Sequence, residues 1–291
     1  MAFADQEVRR LLGKGIHHYG LIGDGDKIAV GVSGGKDSML LLWLLRERLR
    51  RVPVSYELFA VHIDPGFDTE SADQLEVFFR NEGFSYEVIR TDHGARAHGE
   101  ENRENPCFLC ARLRRSVLFR KARELGCSKI ALGHNQDDMI ETFFINICYG
   151  GQVSGMVPKQ EFFGGEITVI RPFALVPAGS ILRVCKDLGL PVLPTKCPSA
   201  AKNRRAEIRS MLGALFRKNS KIRGNIYHAM SNINLDYLPP KIPGRGRRVV
   251  RDRDSKVPHG EVELKRGSGA GLKEGGMSAA TMADCGTERG E

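Results

Sequence analysis

The segment Lys27–Ser38 (KIAVGVSGGKDS) packs two serines, two glycines, a lysine and an aspartate between an apolar strand and the leucine-rich helix that begins at Lys36. A turn of this kind aims free backbone N–H groups and the positive end of a helix dipole at one point, which suits a phosphate. Gly34 and Gly35 let the main chain approach an anion closely, and Ser33, Ser38 and Lys36 add hydroxyl and cationic contacts. Asp37 offers a hard carboxylate for a cation such as Mg²⁺ held between phosphates. The G-x-x-x-x-G-K-[ST] loop of common nucleoside triphosphatases is not present. An ordinary strand-to-helix turn would need less polar equipment than these six residues carry.

A second group of residues is soft rather than hard. Cys107-Phe-Leu-Cys110 sets two thiols about one helical turn apart, the spacing that holds one metal or one edge of a cluster. Three readings are open: a redox pair, a zinc site completed by Cys197 and a histidine such as His93 or His98, and an iron–sulfur cluster with Cys197 as third ligand. The last is favoured, because no second C-x-x-C exists and Cys197 stands in the polar, basic stretch LPTKCPSA. Three protein ligands on a cubane cluster would leave one iron open. Cys127, Cys148 and Cys185 lie among apolar residues and read as buried small hydrophobes, and Cys285 as incidental.

The elements that must position these groups follow from periodicity. Strands are expected at 27–32, 56–63, 86–90, 129–132 and 167–170, and helices at 6–19, 36–50, 71–81, 111–125, 136–148, 180–188, 204–216 and 222–235. A polar loop, 91–106, leads to the cysteine pair. Alternation of this kind implies right-handed crossovers and an α/β fold, a doubly wound parallel sheet with C-terminal helices. In such sheets ligands bind beyond the carboxyl ends of the strands. There SGGKDS follows the first strand, His62 and Asp64 end the second, and His134 and Asp137 follow the fourth. One domain is expected over 1–238 and a disordered tail over 239–291, where large apolar residues almost vanish.

Charge points to a polyanion. The 291 residues carry a formal net charge of +9. Residues 103–123 hold seven Lys/Arg against one acid, and residues 196–223 hold nine against one. Either run alone reads as a solvated helix face; both adjoin the cysteine candidates, so together they suit a nucleic-acid backbone. Arg114, Arg115, Arg204, Arg205 and Arg209 are the candidate contacts, with the apolar stripe Ile208, Met211, Leu212, Leu215 and Phe216 turning the second set outward. Folded RNA fits better than a stacked single strand, because few aromatics interleave. No apolar run reaches the roughly 20 residues of a membrane helix and the N-terminus is no secretory signal, so a cytoplasmic protein with no membrane partner is expected.

SGGKDS after a strand resembles the PP-loop of ATP pyrophosphatases, which split ATP between its α and β phosphates. Taken with PCFLCARLRR, GHNQDDMIETFFIN and CPSAAKNRRAEIRSML, it resembles the tRNA 2-thiocytidine synthetase family from about Gln6 to Leu238. The resemblance implies an ATP-dependent sulfurtransferase that thiolates C2 of a cytidine in the tRNA anticodon loop. Its cofactors would be ATP, Mg²⁺ and a [4Fe–4S] cluster, its partners tRNA and a cysteine desulfurase or free sulfide, and a homodimer is left open. Ser33, Gly34, Gly35 and Ser38 would cradle pyrophosphate, Lys36 offset its charge and Asp37 hold Mg²⁺. His62, Asp64 and His134 would border the nucleotide, and Asp137 would reach the same rim, with Asp138 facing elsewhere. Two rivals stand beside this: another adenylating enzyme of the superfamily, of lysidine-synthetase or small-molecule-ligase type, and a non-catalytic metal-bearing RNA-binding module.

Overall fold

The computed structural model describes residues 3–68, 70–194, 196–199 and 204–239. The expected tail lies outside the described residues from 240 onward, as does Cys285.

Five largely apolar strands and one polar edge strand build one six-stranded sheet. Its strands are β1 (Asp26–Gly31), β2 (Tyr56–Asp64), β3 (Ser85–Arg90), β4 (Lys129–Leu132), β5 (Lys159–Phe162) and β6 (Ile167–Ile170). Their order is β3-β2-β1-β4-β6-β5, parallel throughout except for the edge strand β5, which runs antiparallel to β6. The helices are α1 (Phe3–His18), α2 (Lys36–Arg48), α3 (Glu70–Asn81), α4 (His93–His98), α5 (Pro106–Glu124), α6 (Gln136–Gly150), α7 (Ala178–Asp187), α8 (Arg204–Lys218) and α9 (Lys221–Ala229).

Alternation along the strands feeds two cores. Ile28 and Val30 of β1, Ala60 of β2 and Ala131 of β4 face α1, α2, α3 and α7. Ala29, Val61, Ile63, Ile130 and Val169 face Val117, Phe119 and Ala122 of α5. The sheet is therefore covered on both sides, as a parallel sheet requires. Helix α2 is apolar on nearly every side because it lies between the sheet and α7. Leu40, Leu41, Leu42 and Leu45 are fully buried, each worth about 1.5–3 kcal/mol of transfer. A third core joins Ile140 and Ile145 of α6 to Ile208 and Leu212 of α8, which fastens the C-terminal helices beside the sheet. No helix among the described residues is long and apolar enough to cross a membrane.

Four elements differ from expectation. Helix α9 ends at Ala229 rather than at 235. The 91–106 loop contains α4. Helix α5 begins at Pro106, not Ala111: Asn105 caps it by accepting the N–H groups of Cys107 and Phe108, at 2.9 and 3.2 Å, and Pro106 occupies the first turn, where its missing N–H costs nothing. The cysteine pair therefore rides on the first turn of a helix. Strand β5 (KQEF) was not expected, since a short polar edge strand has no apolar run to announce it. Cys127 and Cys185 are buried as expected, but Cys148 is exposed, on the outer side of α6 near its C-terminus.

Candidate active site

Strand order reverses between β1 and β4, and the crevice beyond their carboxyl ends is where such a sheet binds ligands. A cleft of about 340 Å³ opens there, lined by Val32, Ser33, Asp37 and Ser38 on one side and by Leu132, Gly133, His134 and Asp138 on another. Helix α5 closes it with Ala111, Arg114, Arg115 and Leu118.

The phosphate-loop turn is held by its own serines. The Ser33 N–H donates to Ser38 Oγ at 3.0 Å, the Ser38 hydroxyl donates to the Gly35 carbonyl at 3.0 Å, and the two hydroxyls are 3.2 Å apart. Gly34 sits at φ +82°, in the left-handed region where a side chain is strained. Gly35 is the cap residue of α2 and contributes no side-chain cap. The first-turn amides of α2 thus receive no cap from Gly35, and Asp37 and Ser38 of that turn line the cleft. Lys36 Nζ reaches Asp37 Oδ2 at 2.6 Å.

The turn after β4 fits directly onto this loop. A Cβ on Gly133 would lie 2.9 Å from Asp37 C and Ser38 N, so only glycine lets the two backbones meet. Asn135 then does two things: its Oδ1 accepts the N–H groups of Asp137 and Asp138 as the cap of α6, and its Nδ2 donates to Asp37 Oδ1 at 3.0 Å. Asp138 returns the contact, its Oδ2 accepting the Asn135 N–H at 3.0 Å, which closes a capping box. Gly133 and Asn135 were not singled out from sequence, although Asn followed three residues later by Asp is a readable helix-start signal.

The two aspartates change places relative to expectation. Asp138 lines the cleft, whereas Asp137 turns to the C-terminal part of the chain. Its Oδ2 accepts the Ala178 N–H at 2.8 Å and its Oδ1 accepts Arg223 Nε at 3.0 Å. The third position of a capping box must fold back over the turn, which is what aims Asp138 inward. Val61 and Ile63 line the cleft, so period-2 alternation sends His62 to the other face of β2. His62 is buried, donates Nδ1–H to the Val32 carbonyl at 2.8 Å, and is held neutral by burial, which pushes its pKa below 6.5. Asp64, also buried, accepts the Gly66 N–H at 2.8 Å.

The expected nucleic-acid contacts divide. Arg114 and Arg115 line the cleft, and the buried Nε of Arg114 has no hydrogen-bond partner among the described residues. Arg205 turns inward to Asp138 (3.4 Å), Glu141 (3.6 Å) and Thr142 (3.1 Å). Arg209 donates to Glu141 at 2.6 Å. Glu141 is buried, and desolvation raises its pKa against the lowering pull of Arg209. Ile208 and Leu212 face α6, but Met211 of the expected stripe is exposed, and Arg205, one turn before Ile208, shares the α6 side. Arg204 stacks over Tyr149 at 4.5 Å. Arg217, Lys218 and Lys221 are exposed around the α8–α9 turn; Lys196 and Arg209 are exposed as well but paired to acids.

Cys107, Cys110 and Cys197 are half-buried. Soft thiols near a surface suit an iron–sulfur cluster, whereas burial pushes the Cys127 and Cys185 thiols up to about 11 and removes them from metal chemistry. Among the described residues no three His, Cys, Asp or Glu side chains are gathered to hold a metal ion. The donor chemistry fits such a cluster, whose ligands are not already gathered among the described residues.

The phosphate loop, its Gly133–Asn135 partner and the switch-point cleft define a PP-loop nucleotide-binding domain, and the family model of the PP-loop domain matches residues 5–215. A tRNA-cytidine(32) 2-sulfurtransferase of Syntrophotalea carbinolica is 39% identical over 237 residues, covering 80% of this chain and 91% of that protein. The tRNA-cytidine(32) 2-sulfurtransferase of Geobacter sulfurreducens is 37% identical over 237 residues, with 80% and 92% covered. The chain belongs to the tRNA-cytidine(32) 2-sulfurtransferase family. Its fold is shared with a U34-tRNA thiolase, NcsA, from Methanococcus maripaludis, solved with its [4Fe–4S] cluster: TM-score 0.67 at 24% identity, over 82% of this chain and 81% of that one.

Proposed function

We propose that the chain uses ATP to replace the C2 oxygen of a tRNA anticodon-loop cytidine with sulfur. The observation that carries this is one cleft shared by the phosphate loop and by α5, the helix whose first turn bears Cys107 and Cys110. The base oxygen attacks the α-phosphorus of ATP and pyrophosphate leaves. A hydrosulfide-level sulfur then adds at C2, and AMP departs with the original oxygen.

In this reading Ser33, Gly34, Gly35 and Ser38 and the open amides of α2 bind pyrophosphate, with Lys36 near enough to offset its charge. Asp37 would hold Mg²⁺, its carboxylate oriented by Asn135. Arg114 supplies a cation at the cleft wall. His134 and Asp138 face the same space, and Asp137 acts through its ties to α7 and α9. Asp64 and His62 brace the end of β2 behind the nucleotide. A [4Fe–4S] cluster would be held by Cys107, Cys110 and Cys197, and it would supply a coordination position for inorganic sulfur, delivered by a cysteine desulfurase or as sulfide. Exposed Arg217, Lys218 and Lys221 join Arg204 as contacts to tRNA phosphates.

Asp37→Asn tests the ATP half. AMP formation in the presence of tRNA should fall by about 10²-fold or more while tRNA affinity and melting temperature stay near wild type. AMP release at the wild-type rate would remove Asp37 from the chemistry.

A further inference from the structure

Beyond α7, residues 190–194 and 196–199 form a strap, and three contacts fix its course. The Leu193 N–H donates to the Gly34 carbonyl at 3.0 Å, and the Leu193 side chain lies 3.2 Å from where a Cβ of Gly34 would stand. Lys196 Nζ pairs with Asp68 at 3.5 Å and Glu70 at 3.7 Å. Ser199 Oγ lies 2.7 Å from His98 Nε2. Cys197 sits between the second and third anchors.

His98 is built to take this role. Its Nδ1 lies 3.0 Å from the Gly94 carbonyl, one turn back in α4, so Nδ1 carries the proton and Nε2 is left as an acceptor for the Ser199 hydroxyl. The ring packs edge-on against Phe67 at 5.5 Å. Phe67 in turn needs Gly94: a Cβ there would lie 2.7 Å from the Phe67 ring and from the Pro65 carbonyl. Helix α4 packs on α5, which carries Cys107 and Cys110. No other contact of the His98 ring polar atoms is needed to explain its orientation.

We infer that His98 is a positioning residue for Cys197: with Ser199 it pins the far end of the strap to α4, and so holds the third thiol on the side of the molecule where α5 presents the other two. The inference rests on the assignment of Cys107, Cys110 and Cys197 as cluster ligands. The same strap is tied to the phosphate loop at Leu193, so the residue that anchors one end is separated by only six positions from the residue that touches the nucleotide turn.

The experiment has an arm that needs no cluster. In the metal-free full chain, alkylation of each thiol by iodoacetamide is followed by peptide mass spectrometry. His98→Ala and Ser199→Ala should each raise the Cys197 rate by about fivefold, the weight of one net hydrogen bond, and leave Cys107 and Cys110 unchanged. After anaerobic reconstitution with iron and sulfide, the same variants should lose iron to a chelator faster than wild type, and His98→Gln, which keeps an acceptor, should restore part of the difference. Unchanged Cys197 alkylation in a folded Ser199→Ala protein would overturn the anchor. Wild-type iron content in Cys197→Ala would overturn the ligand assignment instead, and with it the purpose given to the anchor.

Discussion

Gly133→Ala adds one methyl group at the seam between the two halves of the nucleotide site. Gly133 is not at positive φ, so alanine meets no backbone strain of its own; the difficulty is space alone. The new Cβ would stand 2.9 Å from Asp37 C and Ser38 N and 3.1 Å from Asp37 O, against 3.4 Å for ordinary contact. These are backbone atoms in the first turn of α2 and cannot swing aside. Relief requires the β4–α6 turn to withdraw by about half an ångström, which draws Asn135 away from Asp37 Oδ1 and tilts His134 and Asp138 with it. A 1 Å misplacement of catalytic groups costs about 10²-fold, so roughly a tenfold loss in kcat/KM for ATP is expected. Overpacking should also cost about 1–3 kcal/mol, or about 2–4 °C of Tm per kcal/mol for a domain of this size. The assay is tRNA-dependent AMP formation with a thermal melt. Gly179→Ala is the control, because its Cβ would meet nothing within 4 Å; it should leave AMP formation at wild type and hold or slightly raise Tm, since alanine is the better helix former. A Gly133→Ala enzyme with wild-type ATP kinetics and Tm would refute the claim that these backbones must touch.

Three further outcomes follow from charge. Burial lowers the His62 pKa below 6.5, so the unfolded chain takes up a proton that the folded one refuses; the stability this gives is present above pH 6.5 and is lost as pH falls toward the lowered folded value. Tm should decline on acidification through that window, with a limiting slope of about 1.4 kcal/mol per pH unit for one such histidine. His62→Asn should flatten the slope in part, since burial shifts His93 in the same direction, and an unchanged slope would contradict the assignment. Replacing Arg217, Lys218 and Lys221 together by alanine should weaken tRNA binding and reduce the slope of log affinity against log salt by about 2–3 units. Arg205→Ala should leave that slope alone and lower Tm, because Arg205 is spent on Asp138, Glu141 and Thr142.

The fold was legible where burial imposes a period. Ile28, Ala29 and Val30 announce β1, and the leucines after Lys36 announce α2. The loop SGGKDS and the turn GHNQDD named the carboxyl edge of the sheet because each follows a strand and opens a helix beside the switch-point crevice. What stayed hidden depends on contacts between distant segments. Helix α4 is six residues long and exists through Pro65, Phe67 and α5, so HGARAH carries no pattern of its own. β5 is a polar edge. The start of α5 was available in the Asn105–Pro106 pair, but the cysteines after it drew attention to a loop. The exchange of Asp137 and Asp138 follows from capping geometry that a helix wheel does not represent. Arg205 and Arg209 read as surface charge because nothing near them in sequence reveals that α6 presents Asp138 and Glu141 to them.

The central claim is that ATP cleavage in this cleft is spent on sulfur transfer to a tRNA cytidine. Its most direct test is nucleoside mass spectrometry of unmodified tRNA incubated anaerobically with reconstituted protein, ATP, Mg²⁺ and sulfide, with AMP measured in the same reaction. The expected result is 2-thiocytidine appearing together with AMP in equal amounts, and neither without ATP. AMP released with no thiolated cytidine, or thiolation that proceeds without ATP, would contradict it.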